Sequence, residues 1–259
     1  MFRYLITALF FLSASLSAYE DYSKLAPLYA QNQIAGTEYL AFRDVPIFVN
    51  KFVPKRKNLS VLDYGCGAGL STRFIKKVLP EDSQVEGVDI SSDMLQQAMQ
   101  ADPKGSYLKM AKVIPFPDSF FDFVYCNFVL FELPSHEEII SVFKEICRTM
   151  KPDACLIATT GTPEMYNRKN HWVVLNGDFP QNDHLQSGSL AKVSLALGDG
   201  EITFSDYYWT EKDYRECFTA AGFSQISAQY PLGLENEKVD WKWKDETKVA
   251  PYVIFVLRK

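Results

Sequence analysis

The most specific chemistry in this chain lies in Asp63-Tyr64-Gly65-Cys66-Gly67-Ala68-Gly69, an acid followed by glycine at every second position. It follows the apolar run Leu59-Ser60-Val61-Leu62 and precedes Leu70 to Leu79, a helical pattern stopped by Pro80. Glycine lets a backbone turn sharply and approach a ligand with no Cβ in the way. The helix start offers unpaired N–H groups to a polar ligand. Asp89 ends the next expected strand, Gln84 to Asp89. A carboxylate at that place can accept hydrogen bonds from both hydroxyls of a ribose.

Spacing and charge narrow the ligand. A nicotinamide dinucleotide site reads GxGxxG, but here the third glycine position is Leu70. Asp63 on the approach would repel a pyrophosphate and attract an ammonium group. No GK[ST] follows the glycines, so a nucleotide triphosphate loop is excluded. A ligand with a ribose at one end and a cationic amine at the other fits better, and S-adenosylmethionine has that form.

The elements that must position these residues alternate strand and helix. Asp21 to Asn32 and Gly36 to Phe52 read as helical, with Pro27 and Pro46 as places for a kink or break. Ser91 caps a helix from about Ser92 to Gln100, and Tyr107 to Met110 reads as a short strand. Phe121 to Asn127 is nearly continuous in apolar residues, as a strand buried on both faces should be. Ser135-His136-Glu137-Glu138 opens a helix to about Thr149, and Ala154 to Thr160 is the following strand. This rhythm predicts a parallel sheet with helices on both sides. Beyond Gly161 it breaks. Ala191 to Leu197, Gly198-Asp199-Gly200 and Glu201 to Ser205 read as a hairpin. A helix opening at Thr210 and strands at Phe223 to Tyr230 and Pro251 to Leu257 close the sheet.

Four segments in order resemble the class I S-adenosylmethionine-dependent methyltransferases. Val61 to Gly69 resembles their first motif and Val88-Asp89-Ile90-Ser91 their acidic second motif. Pro115 to Asp122, continued by Val124 to Leu130, resembles the approach to and passage of their fourth strand. Met150-Lys151-Pro152-Asp153 resembles the LKPGG turn, with Asp153 and Ala154 replacing its glycines. The resemblance covers about 59 to 160. It implies an α/β, Rossmann-like doubly wound sheet, mostly parallel with an antiparallel C-terminal strand, plus a hairpin-containing insert at about 161 to 205. It also implies methyl transfer from S-adenosylmethionine to a small-molecule acceptor through oxygen, nitrogen or sulfur. The alternative on the same fold is a non-catalytic cofactor-binding or partner-binding domain.

The same resemblance implies roles for individual residues. The backbone around Gly65, Cys66 and Gly67 would hold the methionine part. Asp63 would sit near the amino group, directly or through water. Asp89 would bind the ribose, Ile90 would pack on adenine, and Asn127 would face cofactor and acceptor. Many relatives have an acid after the third strand; Met110-Ala111-Lys112 stands there, so backbone groups of Ala111 would replace it. No dedicated base is indicated, because aligning acceptor and activated methyl group can supply much of the catalysis. His171 beside Trp172, and Glu132 after the fourth strand, are the side-chain candidates; His136 reads as an exposed cap. The insert aromatics Tyr166, Trp172, Phe179, Phe204, Tyr207, Tyr208 and Trp209 suit a lid over a moderately apolar acceptor.

Composition bounds the rest. Lys plus Arg number 27 against 32 Asp plus Glu, a net charge of -5, which argues against nucleic acid as the main partner. No cysteine pattern or histidine cluster has metal-ligand spacing. Met1 to Arg3, the apolar Tyr4 to Leu12 and the small residues through Ala18 read as a signal peptide or apolar leader, residues 1–18. Residues 19–259 then form the methyltransferase domain. The leader predicts export or weak membrane association. The five unpatterned cysteines fit a reducing compartment instead. Location and oligomeric state stay open at this level.

Overall fold

The computed structural model describes residues 26–27, 33–197 and 200–259. The leader, most of the expected Asp21 to Asn32 helix and the Gly198-Asp199 tip of the hairpin lie outside the described residues. No helix among the described residues is long and apolar enough to cross a membrane.

The strands that carry the motifs lie side by side. They are β1 (Ser60–Tyr64), β2 (Gln84–Asp89), β3 (Ser106–Lys109), β4 (Phe121–Asn127), β5 (Met150–Gly161), β9 (Gln225–Gln229) and β10 (Tyr252–Arg258). They form one sheet in the order β3-β2-β1-β4-β5-β10-β9. The pairs among β1 to β5 are parallel, and β10 runs antiparallel to both β5 and β9. The chain works outward from β1 to β3, then returns past β1 to build β4 and β5. The reversal between β1 and β4 is a topological switch point, and ligands of such sheets bind outside the carboxyl ends of the strands there.

Alternating side chains along each strand feed two helical layers. Val61, Phe123, Tyr125 and Ile157 pack with α2 (Val45–Phe52) and α3 (Leu70–Val78). Leu62, Val124, Leu156 and Phe255 pack with α5 (His136–Thr149) and α6 (Glu211–Ala220). Every residue of β4 is buried, as its nearly continuous apolar run requires. On the β3 side, α4 (Ser92–Ala101) starts at Ser91, whose side chain accepts a hydrogen bond from the Met94 N–H at 3.3 Å. The helical pattern from Gly36 to Phe52 is interrupted, as Pro46 suggested. A 3-10 turn (Gly36–Glu38) leads into α1 (Tyr39–Arg43), and α2 starts afresh at Val45 with proline in its first turn.

Two boundaries differ from the sequence reading. β5 begins at Met150 rather than Ala154, because Met150 pairs with Phe121 across a register shift in β4. The insert is more than a hairpin. β7 (Leu190–Leu197) pairs with both β8 (Gly200–Tyr207) and the two-residue β6 (Leu175–Asn176) in a second antiparallel sheet. Its apolar face has no separate core. Leu175, Val193 and Leu195 pack with Leu40 and Phe42 of α1 and with Tyr252 at the start of β10.

Candidate active site

A cavity of about 670 Å³ runs along the carboxyl edge of the main sheet, within the range of small-molecule sites. Its floor follows the strand order. Gly65, Gly67, Asp89, Ile90, Ala111 and Lys112 line the half above β1, β2 and β3. Phe42, Phe131, Phe204, Asp206, Tyr207 and Tyr252 are among the residues lining the half above β4, β5 and the second sheet. Asn127, the last residue of β4, lies where the halves meet.

Two glycines shape the first half for different reasons. A Cβ on Gly65 would come 2.3 Å from Val129 Cγ2, so the turn fits only where that atom is missing. A Cβ on Gly67, at φ 51°, would meet nothing within 4 Å and would project into open space. The backbone there is bare on the side that a ligand would use. The turn is tied down from behind: the Gly65 and Cys66 N–H groups both donate to the Val88 carbonyl, at 2.8 and 3.0 Å.

Asp89 ties the same turn to the next helix. Its Oδ2 accepts from the Gly67 N–H at 2.8 Å and its Oδ1 from the Ser91 N–H at 2.8 Å. Burial raises its pKa, opposed by the hydrogen bonds from Ser91 and Gly67. Each carboxylate oxygen has a further lone pair to offer a ligand hydroxyl. Ile90 is 37% exposed and forms apolar wall beside it. Ala111 lies on the rim, in the segment leaving β3. Arg148 of α5 holds that segment from below, donating to the Ile114 and Phe116 carbonyls, while Glu145 accepts from the Ile114 N–H at 2.8 Å. No local pattern in the sequence marks these two helix residues as supports of the rim.

Asp63 and Cys66 stand differently from the other expected site residues. Asp63 is fully buried and does not line the cavity. Its Oδ2 accepts from Ser71 Oγ at 2.7 Å and Thr72 Oγ1 at 2.6 Å, both in the first turn of α3, and its Oδ1 has no hydrogen-bond partner. Burial pushes this carboxyl up to about 6 against the pull of those two hydroxyls. Asp63 thus secures the helix behind the glycine turn. Cys66 lines the cavity, and its side chain packs with Leu95, Ala98 and Tyr107. Burial drives its thiol well above the ordinary range, so it is no nucleophile.

The second half is assembled from distant parts of the chain. Phe128 follows Asn127 with φ 61°, a left-handed conformation that turns the chain off the end of β4. Its ring packs against Phe131 and Tyr252, with centroids 5.9 and 5.2 Å away. Buried Glu246 clips three segments together. Its Oε1 accepts from Thr37 Oγ1 at 2.7 Å and the Val173 N–H at 2.6 Å, and its Oε2 from the Lys244 N–H at 2.9 Å. Of the insert aromatics, Phe204 and Tyr207 reach the cavity. Trp172 and Trp209 are buried in packing, donating to the Met165 and Leu133 carbonyls. His171 is exposed beside Asp245, and His136 contacts Asp213; neither lines the cavity. Glu132 does. Asn127 is 7% exposed, and its Oδ1 has no hydrogen-bond partner.

A doubly wound sheet with an antiparallel β10, a glycine turn after β1 and an acid ending β2 define a Rossmann-like architecture. Residues 61–153 match the family described as a methyltransferase domain. These residues form a methyltransferase domain, and the fold around them is that of S-adenosylmethionine-dependent methyltransferases. It is 27% identical over 180 residues to N-demethylindolmycin N-methyltransferase of Streptomyces griseus, covering 66% of this chain and 71% of that protein. It is 27% identical over 187 residues to demethylmenaquinone methyltransferase of Bacillus licheniformis, covering 70% and 72%. The fold matches an S-adenosylmethionine-dependent methyltransferase from Methanosarcina mazei with TM-score 0.55 and 22% identity, over 82% of this chain and 96% of that one.

Proposed function

We propose that the half of the cavity above β1 to β3 holds S-adenosylmethionine and that the other half holds a small-molecule methyl acceptor. The observation that carries this reading is the continuous cavity, with Asn127 Oδ1 unsatisfied where the halves meet. A buried acceptor atom without a partner is costly, and a ligand N–H or O–H would relieve it. The residues fit the cofactor. Gly67 leaves a cradle that a side chain would fill, Asp89 has lone pairs for ribose hydroxyls, and Ile90 and Ala111 offer apolar wall to a flat base. Bound there, the cofactor supplies a methyl group on a sulfonium sulfur.

The protein's own contribution is mainly positional. The Val88 carbonyl and Asp89 hold the glycine turn in one shape before any ligand arrives. Phe128, Phe131 and Tyr252 give the acceptor half apolar walls. Such preorganisation can contribute several kcal/mol by removing the entropy of alignment, up to roughly 7–11 kcal/mol. The names of the S. griseus and B. licheniformis relatives both point to small acceptors, which fits an enclosed chamber better than a folded protein. Calorimetry with S-adenosylhomocysteine tests the first half. Mass spectrometry of a metabolite panel incubated with S-adenosylmethionine tests the second. Tight cofactor binding with no methylated product from any acceptor class would overturn the reading of the second half.

A further inference from the structure

Ser71 connects the cavity to Asp63. It lines the cofactor half, is 8% exposed, and donates its hydroxyl to Asp63 Oδ2 at 2.7 Å. A serine hydroxyl has one hydrogen to donate and lone pairs to accept with. The hydrogen is spent on Asp63, so the Ser71 oxygen offers a ligand only an acceptor. Turning the hydroxyl toward a ligand would take one hydrogen bond from a fully buried carboxyl. That carboxyl has only one other side-chain donor, Thr72, and its Oδ1 has no partner at all. Stripping a buried charged group of a hydrogen bond is costly.

The charge behind this oxygen is not neutralised. The ionisable groups that bear on Asp63 are Asp89 from β2, Cys66 of the turn, and Tyr125 and Cys126 of β4. All are acids, and no cation among the described residues acts on Asp63. Burial holds the phenol and both thiols well above their ordinary ranges, so they stay neutral around neutral pH. The strands set the order of a bound nucleoside. Its base lies beside Ile90 and Ala111, its ribose at Asp89, and its remaining end above β1, where Leu70 and Ser71 line the cavity. A carboxylate arriving there would meet a lone-pair oxygen backed by an acid. An ammonium group would meet an acceptor and an attracting charge.

We propose that Ser71 receives the ammonium group of the cofactor and that Asp63, acting through Ser71, makes cofactor uptake depend on pH. The inference rests on the reading of this half as the cofactor site. Burial pushes Asp63 up to about 6, so in mildly acidic solution part of the population carries the proton. A cation held against Ser71 favours the ionised carboxyl, and the released proton goes to the buffer. Binding of an ammonium ligand therefore strengthens as pH rises through about 6 and levels off above it. Ser71 makes the contact, and Asp63 is a positioning residue.

The test is calorimetric binding to the full chain between pH ~5 and pH ~7. Three nucleosides are titrated. S-Adenosylhomocysteine and its decarboxylated form both carry the ammonium; methylthioadenosine lacks the whole amino-acid end. At pH ~5 about a tenth of the Asp63 carboxyls are ionised, so the two amines are expected to lose about tenfold against methylthioadenosine between pH ~7 and pH ~5. Taking that ratio removes the titration of Asp89, which serves the ribose of all three. Near pH ~6, buffers of different ionisation enthalpy should report proton release with the amines alone. Asp63→Asn is expected to make the ratio independent of pH. Ser71→Ala should weaken both amines about tenfold at pH ~7, with methylthioadenosine within about twofold, and Ser71→Thr should restore them. Circular dichroism checks the folding of each variant. A ratio that is flat or falls as pH rises, amines that bind no more tightly than methylthioadenosine, or variants that keep the parent's ratio would each overturn the proposal. Failure of all three nucleosides to bind would strike the reading of this half as a cofactor site, and the proposal with it.

Discussion

Replacing Asp63 by Asn asks what supports the glycine turn. The carboxyl is fully buried, and that burial lifts its pKa from 3.8 to about 6 against hydrogen bonds from Thr72 and Ser71, with Asp89 adding to the rise. The folded state therefore holds the proton more tightly than the unfolded chain. The stabilisation from this proton is complete below 3.8 and is lost as pH climbs through about 6. At about 1.4 kcal/mol per tenfold change in acidity, the gap amounts to about 3 kcal/mol. The amide of Asp63→Asn would still accept from Ser71 and Thr72 and would never ionise. The variant should match the parent near pH ~4 and exceed it by about 3 kcal/mol near pH ~7. Urea unfolding of both proteins across that range measures the difference directly. A difference that does not change with pH, or one that favours the parent as pH rises, would refute the account of Asp63 as a buried anchor strained by its own charge.

Gly67→Val should abolish S-adenosylhomocysteine binding in calorimetry, since the branched side chain would occupy the open space beside the turn. Its φ of 51° also makes the substitution strained, so the melting temperature should fall. Normal affinity would make the turn purely structural. Asp89→Ala should lose cofactor affinity and stability together, because two backbone donors at 2.8 Å are orphaned at about 1.5–3 kcal/mol each. A loss of affinity with unchanged unfolding would show that these two bonds contribute nothing to the fold. At Phe128, Ala and Gly both remove the ring, but only Gly relaxes the left-handed backbone. The Gly variant should be about 1 kcal/mol more stable in denaturant unfolding than the Ala variant, and equal stabilities would mean that the backbone there carries no strain.

The half of the site built from neighbouring residues was readable in advance. Strand, glycine turn, helix and terminal acid are local patterns, and Gly65, Gly67, Asp89, Ile90, Ala111 and Asn127 all line the cavity. The orientation of Asp63 was readable as well, by alternation. Val61 packs with Ile75 of α3, so the residue two positions on points to the same helix. The acceptor half left no local pattern. Glu38, Phe42, Asp206 and Tyr252 meet only because β10 slots beside β5 and the second sheet folds over α1. The insert's aromatics were over-read for a related reason. Composition cannot say which rings face a chamber, and Trp172 and Trp209 fill packing instead.

The place of β10 also bears on synthesis. The strands above which the cofactor half lies have all been made once residue 127 leaves the ribosome. The acceptor half must wait for Glu246 to join Thr37 to Val173, and for Tyr252 to reach the end of β5. A nascent chain can therefore shape the glycine-turn half of the cavity while the wall of the other half is still untranslated. Interruption near residue 240 would leave a protein with the glycine-turn half of the cavity and without the wall that Glu246 and Tyr252 complete. Completion of translation is the event that joins the two.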